Sequence, residues 1–132
     1  MRLYLTAFCL LLAAAAHADD LQNQLCVAAH DGRIAVVQQL LDRGANPKVV
    51  CDNGGGNALE RAVGRNHPDI VRLLMARFVW TDEERGDAFE SGIYLRSVAS
   101  MQAMLDLGVP VDIKDHQSES AFLEAAWTCD LR

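Results

Sequence analysis

The chain has 132 residues, with 18 acidic against 12 basic side chains and a formal balance of −6. That excess of negative charge argues against nucleic acid and anionic membrane surfaces as partners and is compatible with a basic one. The length suits one small domain, which buries only about two-thirds of its unfolded surface and so has a limited core.

Residues 1–18 carry one positive charge at Arg2, an almost unbroken apolar run from 3 to 16, and then Ala16-His17-Ala18 ahead of Asp19-Asp20. A basic start, a short apolar segment and a small-x-small end make the pattern of a secretory signal peptide cleaved after Ala18. The run is shorter than the roughly 20 residues of a spanning helix. Cys9 sits mid-segment behind bulky Phe8, which does not suit a lipoprotein. The expectation is an exported chain starting at Asp19, periplasmic or secreted, with no membrane insertion after cleavage. Loss of Arg2 makes it one unit more negative. Export permits one internal disulfide among the remaining Cys26, Cys51 and Cys129.

The stretch 25–47, LCVAAHDGRIAVVQQLLDRGANP, reads as two short amphipathic helices joined by a tight turn and closed by a second turn at Gly44. Altered copies follow. Leading apolar residues Leu25, Leu59, Phe89 and Phe122 are spaced 34, 30 and 33 apart. Two residues before each stand Asn23, Asn57, Asp87 and Ser120, all competent N-caps, and Glu60 and Glu90 complete a loose capping box for the middle two. The second helices carry Val37, Leu40 and Leu41, then Ile70, Val71, Leu74 and Met75, then Val98, Met101, Met104 and Leu105 as buried stripes. Pro68 suits a first helical turn. Gly44 and Gly108 suit a left-handed exit, whereas Phe78 in the second copy should distort it. A period near 33 built from a helical hairpin signals a stacked array, because one hairpin cannot cover its own apolar side.

Leu25-Cys26-Val27-Ala28-Ala29 with Gly32, Val36-Val37, Leu40-Leu41 and Gly44-Ala45-Asn46 resembles an ankyrin repeat, and the stretch 108–115 resembles that family's hairpin between repeats. The resemblance implies an all-α, short helix-turn-helix solenoid over residues 19–132, in repeats of approximately 21–51, 52–81, 82–114 and a partial 115–132. The family's Thr-Pro-Leu-His opening is absent: Gln24, Ala58, Ala88 and Ala121 hold its proline position. Val79-Trp80 replaces Gly-Ala after the second repeat.

In such an array the loop holding Cys51 runs beside the starts of the first helices. A Cys26–Cys51 disulfide is therefore expected, the alternative being small buried thiols; Cys129 lies at the far end of the stack. Asn53-Gly54-Gly55-Gly56-Asn57 lacks the strand and Gly-Lys-Ser/Thr of a phosphate cradle, so it reads as a loop. His30, His67 and His116 have no ligand-spaced partners, and no metal or cofactor is expected. His30-Asp31 are neighbours whose side chains should diverge on a helix. Carboxylates at Asp82, Glu83, Glu84 and Asp87 fall in a loop and at a cap, as solvated acidic surface. Phe89 and Phe122 read as core, whereas Trp80, Tyr94 and Trp127 are less easily placed inside.

Non-catalytic binding of a protein partner by a monomer outside the cytoplasm follows from the resemblance, through hairpin tips and a concave helix face. The tips would present Asn53, Glu83, Glu84, His116, Gln117 and Glu119. The inner face would present His30, Asp31, Arg65, Tyr94, Leu95 and Trp127, with Tyr and Trp as the types that most often dominate interfaces; Trp127 equally suits capping of the last layer. The partner would be an exported toxin or hydrolase held by an immunity-type inhibitor, or a periplasmic enzyme served by an accessory. The alternatives are a small secreted hydrolase using His30-Asp31 or the carboxylates of 82–87, and a structural protein that self-associates through an exposed apolar end.

Overall fold

A computed structural model describes residues 18–52 and 54–115. Residues 1–17 of the expected leader, Asn53, the expected fourth repeat with Ser120, Phe122 and Cys129, and the expected contacts His116, Gln117, Glu119 and Trp127 lie outside them. The described residues form six helices: α1 (18–31), α2 (Ile34–Asp42), α3 (Ala58–Gly64), α4 (Pro68–Arg77), α5 (Asp82–Tyr94) and α6 (Val98–Asp106). They pair as three hairpins. α3 packs on α5 and α4 on α6, so like helices lie side by side, and the architecture is an all-α helical repeat solenoid.

The repeat is visible in the backbone. Gly32, Asn66 and Arg96, spaced like the leading apolar residues, all take positive φ at the turn between paired helices. The next residue reaches back one repeat: His67 Nε2 donates to the His30 carbonyl at 2.9 Å, and Ser97 Oγ to the Gly64 carbonyl at 3.0 Å. These bonds satisfy last-turn carbonyls that a helix end leaves open and fix the register of neighbours. Between the layers, Leu25, Leu59, Ile70, Leu74 and Met104 are essentially fully buried, with Phe89 at the edge of the same cluster.

Local chemistry sets most boundaries. Asn57 caps α3 in a complete capping box, its side chain accepting from the Glu60 N–H while Glu60 accepts from the Asn57 N–H. Asn57→Ala is expected to cost about 1 kcal/mol, readable as a lowered urea midpoint with unchanged slope. Pro68 stands at the start of α4. Gly44 and Gly108 turn left-handed after α2 and α6, whereas Phe78 after α4 is extended (φ −130°, ψ 149°). A phenylalanine has no easy access to the left-handed region, so the second exit is pulled straight.

Five expectations are corrected here. Asn23 lies inside α1, which is already helical at 18, and so caps nothing. Asp87 is likewise interior: Thr81 caps α5 in its own box with Glu84. Asp82, Glu83 and Glu84 therefore form the first turn of α5 rather than a loop, where negative charge favours the helix dipole. Val98 is 68% exposed, and the buried positions of α6 are Ser100, Ala103 and Met104. Finally, Trp80 is inside, 7% exposed, its indole N–H donating to the Leu74 carbonyl at 3.0 Å. It fills the corner left by the straightened exit.

Candidate functional site

The first helices α1, α3 and α5 share one face, and its equivalent positions run in rows: Val27, Arg61, Ser91; His30, Gly64, Tyr94; Asp31, Arg65, Leu95. Two open depressions follow the face. The larger, of about 430 Å³, is bordered by Val27, Cys26 and His30 from α1, Asp52 from the hairpin loop and Arg61 from α3. The smaller, of about 180 Å³, brings His30, Arg65 and Leu95 together with Gly55, Glu60, Arg61, Gly64 and Ser91. Three of the residues named for the inner face thus border one recess. Tyr94 stands beside it, 60% exposed at the last turn of α5.

Cys26 and Cys51 are joined by a disulfide, with Cα atoms 6.0 Å apart. It ties the glycine-rich loop to α1. Within that loop the Cys51 N–H donates to the Gly56 carbonyl and the Gly54 N–H to the Cys51 carbonyl. A Cβ on Gly55 would lie 2.5 Å from the Arg61 guanidinium carbon. The glycine therefore makes room for the arginine, which lies against its backbone.

His30 and Asp31 do meet, against expectation: Nδ1 and Oδ1 are 3.0 Å apart. Asp31 is the last residue of α1, ahead of the left-handed turn at Gly32, and the two side chains meet through their own rotamers. The His30 hydrogen bond, joined by Arg33 at 3.4 Å, holds the Asp31 carboxyl below its ordinary value of 3.8 against partial desolvation. Among the described residues no hydroxyl or thiol side chain is hydrogen-bonded to the His30 ring.

The acidic run is engaged as well. Asp82 pairs with Arg85 one turn along α5. Glu84 Oε2 accepts from the Thr81 N–H and from Lys48 Nζ, each at 2.9 Å. The same ammonium lies 5.2 Å from the centre of the Trp80 ring, a cation–π distance. Of the two acids assigned to a hairpin tip, Glu83 is exposed and Glu84 is spent on this clasp between the first and third repeats.

Burial alone would raise the Glu84 carboxyl, but the Thr81 N–H and Lys48 hold it below its ordinary 4.5. A depressed folded-state pKa contributes stability above the unfolded value and loses it as pH falls through the folded one. The stability gap between the native chain and Glu84→Gln is therefore expected to be constant at neutral pH and to close as pH falls below about 4.5. Urea midpoints measured at stepped pH values check this.

Asn23, Val27, Asp52, Gly55, Glu60, Arg61, Gly64 and Ser91 are border residues missed in the sequence. The available signal was the four-residue spacing of Arg61 and Arg65, which puts both on one helix face. No described helix is long and apolar enough to cross a membrane. Among comparisons with known proteins, the family model for ankyrin repeats in three copies matches residues 4–82. No curated protein matches the chain.

Proposed function

The chain belongs to the ankyrin-repeat family, and from that premise we propose that it is a non-catalytic, exported binding module that holds a protein partner on the face made by α1, α3 and α5. Ankyrin repeats are generally protein–protein interaction modules. The observation that carries the reading is the exposed Tyr94–Leu95 pair, 60% and 62% accessible, beside the recess bordered by Arg65. Large side chains left in water on a rigid, cross-bonded scaffold keep the ordering cost of association small.

Export rests on residues 1–18, whose charge, apolar run and Ala-His-Ala end have the form of a cleaved leader. The Cys26–Cys51 disulfide suits an oxidising compartment such as the periplasm. Within it, the partner is a toxic exported enzyme that this chain neutralises or a resident enzyme that it assists.

Expression of the full chain and recovery from the periplasmic fraction tests both halves. The mature N-terminus should be Asp19, and affinity capture should retain one protein in stoichiometric amount. That retention should fall at least tenfold when Tyr94→Ala and Leu95→Ala are combined, with thermal stability little changed. A toxic enzyme in the complex selects the inhibitor role and a housekeeping enzyme the accessory role. Retention indifferent to the double substitution would refute the assigned face.

A further inference from the structure

The recess between α1, α3 and α5 is bordered by two arginines and one glutamate, Glu60, a positive balance in a chain that is acidic overall. Arg61 in the last turn of α3 and Arg65, the residue that caps its C-terminus, both border it. Cations there suit the negative end of the α3 dipole, and Arg65 stands in solvent. The nearby acids are already committed. Glu60 closes the Asn57 capping box, and Asp31 is held by His30 and Arg33. The Arg65 guanidinium makes no ion pair among the described residues.

Shape and apolar lining complete the recess. Gly64 occupies its floor, where a Cβ would come within 2.9 Å of the Leu95 side chain. Leu95 thus drapes across bare backbone as an exposed apolar wall of the recess that Arg65 also borders. A space of about 180 Å³ accommodates one or two side chains.

We propose that this recess recognises an acidic, aliphatic-flanked segment of the protein partner, its carboxylate forked by the Arg65 guanidinium and its apolar neighbour resting on Leu95. The inference depends on the binding face assigned above and adds the chemistry of what that face takes. A planar guanidinium presents paired donors matched to a carboxylate. The acidic hairpin side, with Asp52, Asp82 and Glu83 exposed, repels the same segment and so orients it toward the arginines.

The test is an NMR titration of the full mature chain with a blocked hexapeptide of alternating leucine and glutamate, against lysine and glutamine counterparts. The glutamate peptide should shift the Arg65 side-chain Nε–H and the Leu95 amide. Its affinity should fall at least fivefold in Arg65→Gln and also fall with salt, while the melting temperature of the variant stays within a degree or two. Equal binding by the lysine or glutamine peptide, shifts centred on the hairpin loops instead, or no glutamate-dependent shift would overturn the proposal. A natural partner whose capture needs Tyr94 and Leu95 but is unchanged in both Arg65→Gln and Arg65→Glu would also overturn it, leaving the binding function intact.

Discussion

Replacing Gly86 with alanine is expected to destabilise the chain by about 2–3 kcal/mol, in the range of an overpacked core. Gly86 lies inside α5, buried, and a Cβ there would come 2.1 Å from the Lys114 carbonyl oxygen and 2.8 Å from the Asp115 nitrogen. Those neighbours are backbone, so a rotamer change does not relieve the clash. Helix propensity pulls the other way, since alanine is worth about 1 kcal/mol over glycine in an exposed helix interior. The overlap is too severe for that gain to offset. For an array of this size the melting temperature should drop by about 10 °C or more. A melting temperature at or above that of the native chain would show that the 113–115 segment yields and propensity wins.

Removal of the Cys26–Cys51 bond is the second large effect. The bond spans a sequence separation of 25, and closing a loop of that size lowers the entropy of the unfolded chain enough for about 3 kcal/mol. Cys26→Ser, Cys51→Ser and chemical reduction of the native chain should each lose that amount. Combining reduction with either substitution should lose no more. Urea unfolding with and without reductant measures it, and peptide mapping under non-reducing conditions identifies the linked pair. An unfolding midpoint unmoved by reductant would refute the stabilising role. The loop also borders the larger depression, so loss of its tie to α1 should loosen the Asp52 side of the face as well.

The parts of this architecture that were legible in the sequence are those written in local chemistry. Asn57 with Glu60, Pro68, and the glycines at 44 and 108 each announce a helix boundary within a few residues. The apolar stripes of α2 and α4 are similarly plain. Errors arose where two local answers competed. Asp87 and Thr81 each have a glutamate three residues on. Alignment with Asn57 favours Asp87, but α5 starts earlier because Thr81 leads three consecutive acids into its first turn. Trp80 carried no local sign of burial. Its place depends on the straightened exit at Phe78 and on Lys48, 32 residues upstream, reaching over its ring.

The site was less legible than the fold because its polar pairings are settled by tertiary geometry. His30 and Asp31 are expected to diverge, yet the ring nitrogen and the carboxylate meet at 3.0 Å at the end of α1. Glu84 reads as free acidic surface until the cap and Lys48 are both in place. Arg61 is inconspicuous until Gly55 is seen to make room for it.

The Lys48–Trp80–Glu84 clasp has a consequence for how the molecule comes apart. Linear arrays held only by adjacent contacts can fray from one end, a module at a time. Here a side chain from the first module bonds the opening turn of the third, so releasing that third hairpin also strips a partner from the first. Hydrogen exchange under mild denaturant should accordingly find one shared opening energy across the protected amides of α2, α4 and α6, and Lys48→Met should split it into a ladder that rises toward the disulfide-bonded end.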